Sequence, residues 1–445
     1  MQRHLVALEV ASGTPGLTTR SIGIVGGGAA GVLVAIHLAR TATETLNITV
    51  YEPRESLGEG VAYSTHDNGH LLNVPAGGMS AFPDEPDHFR AWAGVHESDF
   101  VPRHRFAAYL RDTLDAAIRT AEHVRIEHLR QPVVDLAPTT PVALQLTDGS
   151  RFAHDTVVVA TGNAHPTRPD WLPEANRVVS DPWAPGALAT IPDGARVACI
   201  GTGLTFVDIA LTLARRGVHV HGFSRHGLLP AVHATVGPVP VFPDGLRSPM
   251  QILRWIRSHD DWRAALTALR PHTQRLWQSM TEDERRRFVR LPLRYWEVHR
   301  HRMAPEIGAE LHDYISAGTI SVSAARPVSA TCRDDDRIAL VSTTSESTTA
   351  FDYVVLCTGP SDDARLSGGL LARLIESRTA TPGPLGLGVA TEPATGALLD
   401  TSGSPAAHVY CIGTMRRGTL WETTAIPELR LQAIVLAEQL VETGS

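Results

Sequence analysis

No lysine occurs anywhere in the 445 residues, so all 40 basic residues are arginine. Chemistry that needs a lysine amine, Schiff-base and pyridoxal-phosphate catalysis included, is therefore excluded. Arginine stays charged at ordinary pH, so it binds anions and seldom acts as a base. Cysteine is scarce too: Cys199, Cys332, Cys357 and Cys411 lie far apart without a C-x-x-C, which suggests neither a disulfide framework nor a metal knuckle. They read as small buried hydrophobes in a reducing compartment rather than as a redox dithiol. The 21 histidines show no metal-ligand spacing such as H-E-x-x-H, so no metal is expected. No run approaches the roughly 18 apolar residues of a membrane span, and no membrane partner is expected. Residues 1–20 lack the apolar core of a secretory leader, because the run 5–10 is short and interrupted by Glu9. They read as a mobile extension of a cytoplasmic protein. The net charge of −7 withholds the cationic surface that non-specific nucleic-acid binding requires.

What is present is a globular composition rich in turns, with 37 glycines, 30 prolines and 43% hydrophobic residues. The length suits two or three domains, each able to bury its own core. An apolar run at 22–25 precedes Gly26-Gly27-Gly28-Ala29-Ala30-Gly31, a helical pattern follows at 32–40, and a second strand at 48–51 ends on Glu52. This is the β-α-β unit that binds a dinucleotide. Gly26 permits the tight turn, Gly28 lets backbone N–H groups approach a pyrophosphate, and Gly31 lets helix pack on strand. Phosphates then sit at a helix N-terminus, where the dipole favours anions. Glu52, about 20 residues further on, is placed to accept ribose hydroxyl hydrogen bonds.

The unit recurs. A strand at 197–200, the turn Gly201-Thr202-Gly203, a helix running to Arg216 and a strand at 218–223 repeat the order. Phe206 takes the third glycine position, where looser helix packing is expected. The second strand ends in Ser224-Arg225 rather than in an acid that would repel a 2′-phosphate, which favours NADPH over NADH. The alternative is that Arg225 is an ordinary surface arginine. Two further apolar runs, 156–160 before Thr161-Gly162 and 353–356 before Cys357-Thr358-Gly359, read as buried parallel strands closing the two units. Between residues 243 and 316 the composition turns to arginine, tryptophan and helix formers, which reads as a helical insertion.

Several stretches resemble the FAD/NAD(P)-binding family typified by bacterial YdhS-like proteins. They are Gly58-Glu59-Gly60-Val61-Ala62-Tyr63-Ser64-Thr65, residues 70–80, Gly201 to Thr205 with Asp208, residues 224–230, residues 296–302 and residues 418–425, in order along nearly the whole chain. More distantly the chain is similar to FAD-dependent urate hydroxylases and to NADPH-dependent N-hydroxylating and Baeyer-Villiger monooxygenases. The resemblance implies FAD against Gly26, Gly28, Ala29, Ala30, Gly31, Glu52, Pro53 and Gly60, and against Leu72, Asn73, Val74, Val134, Ala160, Thr161 and Gly162. It implies a return to FAD at Gly413, Thr424 and Ala425, although Thr414 stands where the usual acid would be. NADPH is expected on Gly201, Gly203, Leu204, Thr205, Ser224 and Arg225. Asn73 reads as a partner of flavin or substrate, or else as a turn residue before Val74-Pro75. Thr423 and Thr424 precede a helix-like run whose positive end would face the flavin.

The segment 294–302 carries three arginines and two histidines among Tyr295 and Trp296. It reads either as a solvated face or as an anion-binding wall. On the second reading Arg300 or Arg302 clamps a phosphate or substrate carboxylate, and Asn73 and Trp421 complete the candidate catalytic set.

The sequence thus predicts an α/β chain of two Rossmann-like dinucleotide domains. FAD is assigned to 21–190 with 360–445, and NADPH to 191–359, which carries the helical insertion. The expected activity is flavin monooxygenation through a C4a-hydroperoxide, with O₂ and a small anionic or nitrogenous substrate undergoing N- or ring hydroxylation. Two alternatives stay open: a reductase passing electrons to another acceptor, and a non-catalytic FAD-dependent sensor.

Overall fold

In the apolar run at residues 22–25 three of the four side chains, Ile22, Ile24 and Val25, are buried, as suits a strand covered on both faces. The structure, a computed structural model, describes residues 19–442 apart from 344, 362, 364, 366 and 367. Most of the extension expected at 1–20 lies outside the described residues. The run forms β1 (Arg20–Val25), followed by α1 (Ala29–Thr41) and β2 (Leu46–Tyr51). Next come α2 (Gly60–Tyr63), α3 (His88–Ala93), α4 (Arg103–Thr120) and β3 (Val124–Leu129). An antiparallel meander of β4 (Val133–Ala137), β5 (Val142–Leu146) and β6 (Arg151–His154) precedes β7 (Thr156–Val159). β1 runs parallel to β2 and β7, with Ile24 opposite both Val50 and Val158.

The chain then builds a second sheet from β8 (Val178–Val179), β9 (Arg196–Ile200) and, after α5 (Leu204–Ala214), β10 (His219–Ser224). A helical stretch follows: α6 (Pro249–Arg257), α7 (Trp262–Leu269), α8 (Thr273–Ser279), α9 (Glu282–Arg290), α10 (Leu293–Arg300) and α11 (Pro305–Ser316). Side-chain caps start three of these helices. Ser248 and Thr281 each form a reciprocal capping box, and Asp261 accepts from the Arg263 and Ala264 N–H groups. Phe242, Ile252, Leu266, Leu269 and Leu276 give α6 to α8 an apolar cluster of their own. In contrast, α11 buries Ile307 and Leu311 beside Phe206 and Val220, so the tail of the stretch expected as insertion belongs to the second core.

β11 (Ile320–Ala324) joins β10, and a hairpin sheet of β12 (Pro327–Cys332), β13 (Ile338–Ser342) and β14 (Ser345–Phe351) precedes β15 (Tyr353–Leu356). The strand order is β11-β10-β9-β15-β8. After α12 (Gly369–Glu376) the chain returns to the first sheet as β16 (Ala397–Leu399) and β17 (Pro405–Cys411), before α13 (Ile426–Glu442). That sheet reads β16-β17-β7-β1-β2-β3, with Val409 opposite Val157. The architecture is mixed α/β with two largely parallel sheets, as the sequence predicts.

A buried ion pair ties the two folds together. Arg103 on α4 donates to Asp208 on α5 at 2.6 Å, with side chains 14% and 8% exposed. His70 Nε2 lies 2.9 Å from Thr212 Oγ1 beside it. Among the described residues no helix is long and apolar enough to cross a membrane, and no cluster of side chains is arranged to hold a metal ion.

Candidate functional site

The two glycine turns are built alike. Gly26 has φ +106°, and a Cβ there would meet the Ala160 carbonyl oxygen at 2.4 Å; Gly201 has φ +107°, and its Cβ would meet that of Cys357 at 2.3 Å. Each first glycine is therefore required by a neighbouring strand end rather than by solvent-side flexibility. At Gly31 a Cβ would fall 2.0 Å from the Gly26 oxygen, which is why α1 needs glycine there. Phe206, at the matching place in the second turn, is fully buried against Gly222, where a Cβ would come within 2.7 Å of the ring. A glycine on the next strand supplies the room that the missing one would have given.

Helices α1 and α5 start at Gly28 and Gly203 with no side-chain cap, leaving first-turn N–H groups for an anion. Glu52 is 4% exposed; its Oε2 accepts from the Gly27 N–H at 3.0 Å, and Oε1 accepts from the Arg54 backbone N–H and guanidinium. Pro53 follows it directly. The α2 segment lies over the first turn, Gly60 Cα standing 3.4 Å from where a Gly28 Cβ would be. From the returning element, Gly413 approaches Ala30, a Cβ on the glycine falling 3.6 Å from that of Ala30.

A cleft of about 130 Å³ lies where the strand ends meet, lined by Gly162, Asn163, Pro360, Thr414, Arg417 and Thr424. Thr414 Oγ1 is buried there without a partner. Thr423 instead serves the scaffold, donating to the Gly413 carbonyl at 2.8 Å and accepting from Gln432. The uncapped helix start, the buried acid and the unpartnered hydroxyl fit a dinucleotide of the FAD kind. Val134 sits at a register irregularity of β4, where one residue of the strand is out of pairing. Ala160 and Thr161 directly follow β7, beside Gly26. Ala425 immediately precedes α13.

The second turn opens on a crevice of about 680 Å³ lined by Gly201, Gly203, Leu204, Thr205, Ser224, Arg225, Arg294 and Arg326. Ser224 Oγ is engaged in the loop, accepting from the Gly227 N–H at 3.0 Å and from Thr202 Oγ1 at 2.8 Å. Among the described residues Arg225 and Arg326 make no ion pair with the protein. Arg225 is exposed, yet partial desolvation, then Arg294 and Arg326, press its pKa below its ordinary value, and an anion in this crevice would relieve that repulsion.

The segment 294–302 separates its two candidate arginines. Arg300 is 13% exposed and lies 3.2 Å from Glu422 Oε2 and 3.3 Å from Glu428 Oε1. Trp296 Nε1 donates to Glu422 at 3.2 Å, and Arg270 grips Glu428 at 2.7 Å. Arg302 has no carboxylate, and its Nε and one terminal nitrogen, Nη1, are buried without partners. Burial, with Arg263, Arg300 and Arg270 nearby, lowers its pKa to about 10. His233 stands in the same field; burial and Arg302 depress it to about 4, and Nε2 contacts the Asn73 carbonyl oxygen at 3.1 Å. Among the described residues the Asn73 side-chain amide makes no hydrogen bond, while Leu72 is 3% exposed and Val74 packs against the first core. Trp421 is 7% exposed and tilts against Trp277 at 4.6 Å, with Arg417 over its ring.

His233, Arg263 and Arg326 were not legible as site residues. Arg326 reaches the crevice only because β11 pairs with β10, and His233 meets Asn73 across the two folds. Neither relation leaves a periodic mark in the sequence.

Residues 23–164 match the FAD-NAD(P)-binding family. No curated protein sequence matches the chain. Among solved structures it is similar to the ornithine N-hydroxylase of Kutzneria sp. 744, at 16% identity and a TM-score of 0.64, over 96% of this chain and 100% of that one. It is also similar to the FAD-bound cadaverine monooxygenase of desferrioxamine biosynthesis from Erwinia amylovora, at 12% identity and a TM-score of 0.65, over 96% and 95% of the two chains. The bacillithiol disulfide reductase of Bacillus cereus shares the fold at 15% identity and a TM-score of 0.58, over 96% and 100%. Residues 23–164 thus carry an FAD-NAD(P)-binding domain, and the whole chain shares the fold of these structures.

Proposed function

We propose that the protein is an FAD-dependent monooxygenase that draws electrons from NADPH and oxygenates a small anionic or nitrogenous substrate. The observation that carries this reading is the pair of matched glycine turns, with two unpaired arginines beside the second. NADPH would supply hydride, and FAD once reduced would supply the capacity to activate O₂.

The chain's own residues supply binding and electrostatics. The first-turn N–H groups of α1 hold a pyrophosphate, and Glu52 takes ribose hydroxyls. Thr414 offers its unpartnered hydroxyl from the returning element. Residues 423–425 set the start of α13 beside the small cleft, where its positive end favours negative charge. Arg225 and Arg326 read a 2′-phosphate. Arg302, half-buried and without an ion pair among the described residues, attracts a carboxylate or other anion toward Asn73. The disulfide-reductase chemistry of one structural neighbour finds no support in the thiols. Cys332 is exposed, against the sequence expectation, whereas Cys199, Cys357 and Cys411 are buried; contact with Cys199 and burial hold the Cys357 thiol well above its ordinary pKa, and burial pushes Cys411 up to about 12.

Gly28 tests the first site. The nearest atom to a Cβ there is Gly60 Cα at 3.4 Å, an ordinary contact, so Gly28→Val should fold. Its branched side chain should nevertheless exclude the pyrophosphate, giving protein free of yellow colour with a near-normal circular dichroism spectrum. Stoichiometric FAD in that variant would refute the assignment. The reaction class is tested by mixing NADPH-reduced protein with oxygen in a stopped-flow instrument. A transient absorbance distinct from oxidised flavin, lengthened by substrate, is expected of a monooxygenase. Fast reoxidation without it, with electrons passed to another acceptor, would mark a reductase, and failure of NADPH to bleach the flavin would mark a sensor.

A further inference from the structure

The helical stretch lines a half-open cavity of about 450 Å³ that neither dinucleotide turn reaches. Its walls come from α6 to α10 and include Ile252, Trp262, Leu266, Trp277 and Trp296, with Trp421 closing one side from the returning element. Apolar surface gathered in a half-open recess, here lined by tryptophan and leucine, marks a ligand or interaction site. Its volume lies within the range of small-molecule sites, roughly 300 to 1,000 Å³.

Arg257 is the charged side chain at the cavity. The neutral polar groups of Thr273, Tyr295, His259 and His299 line it too, and among the described residues no aspartate or glutamate does. Arg257 is exposed at the C-terminal end of α6 and makes no ion pair among the described residues. His259 and His299 turn Nδ1 to backbone carbonyl oxygens of their own helices, at 2.8 and 2.6 Å, which leaves each Nε2 for another partner. Tyr295, 53% exposed, borders the same opening.

We infer that this cavity binds an apolar molecule with an anionic end, of the size of a medium-chain fatty acid. The chain or ring lies among the tryptophan rings, and the carboxylate lies at the opening against Arg257. Burial of the apolar body supplies most of the affinity, at about 25 cal/mol per Å², and the arginine supplies the preference for an anion. The segment that provides Trp421 also provides Thr424 to the small cleft, so the occupant and the candidate flavin site lie on either side of a few residues. Binding itself requires neither cofactor, so its failure and that of the monooxygenase reading are separable.

The test is calorimetric titration of the full chain, as purified, with decanoate and with decan-1-ol, alongside tryptophan fluorescence. Decanoate is expected to bind saturably at one site and to change the emission, and decan-1-ol to bind about five-fold more weakly. Arg257→Gln, an exposed substitution that should leave folding intact, should bring decanoate down to the level of the alcohol. Leu266→Trp should abolish binding of both by filling the cavity; if that variant unfolds, hydrogen exchange of residues 249–299 in the wild type should slow on adding decanoate. The inference is overturned if neither probe binds, if the alcohol binds as well as the acid, or if Arg257→Gln leaves decanoate affinity unchanged.

Discussion

Arg302→Gln is expected to slow turnover at least about ten-fold while leaving the melting temperature at or above that of the wild type, through the loss of one charge-assisted hydrogen bond to an anion. Its guanidinium is buried without a counter-ion, and its pKa is pulled down to about 10, chiefly by burial. Removing such a charge relieves the folded state rather than weakening it. Arg300→Gln should behave in the opposite way. It leaves Glu422, only 5% exposed, without its nearest cation, and breaking a buried pair in this manner typically costs about 3 to 5 kcal/mol. Burial already pushes the Glu422 pKa up, with Arg300 the main influence holding it down, so part of the loss will be recovered by protonating Glu422. Thermal unfolding and steady-state turnover of the two variants decide the matter. Equal turnover in Arg302→Gln and wild type would make residues 294–302 scaffold alone.

NADPH selectivity should collapse when both unpaired arginines of the second crevice are removed. Arg225→Ala and Arg326→Ala are each expected to raise the KM for NADPH about ten-fold or more, since a charge-assisted contact contributes roughly 1.5 to 3 kcal/mol. The double variant should approach about a hundred-fold if the contacts are independent. NADH, lacking the 2′-phosphate, should change little in any of them. Anaerobic flavin reduction at varied NADPH and NADH gives the comparison directly; parallel losses for both nucleotides would assign the arginines to some other task.

The elements nearest the cofactors were legible because they obey local rules. Gly26, Gly28, Gly31 and Glu52 follow from strand, turn, helix and acid in register, and the second unit from its likeness to the first. The meander at residues 133–154 was not anticipated, although Val142, Leu144 and Leu146 alternate in burial as a half-covered strand should. The apolar cavity was hidden for a different reason. Trp262, Trp277 and Trp296 lie on separate short helices whose angles are set by packing, Trp421 comes from the returning loop, and each reads in sequence as an isolated aromatic. The contrast between Arg300 and Arg302 depends on where Glu422 and Glu428 return, more than a hundred residues later.

That return also orders events during synthesis. β17 lies against β7, so the first sheet cannot close until residues 405–411 have been made. The second sheet draws its strands from residues 178–356 and can close earlier. A nascent chain therefore completes its later fold first, the reverse of the usual N-terminal-first order. In the interval the β7 edge, with Val157 and Val159, stands unpaired, and an open edge of that kind templates association between chains. Slowing elongation between residues 160 and 405 lengthens that exposure, whereas supplying residues 397–442 as a separate polypeptide would shorten it.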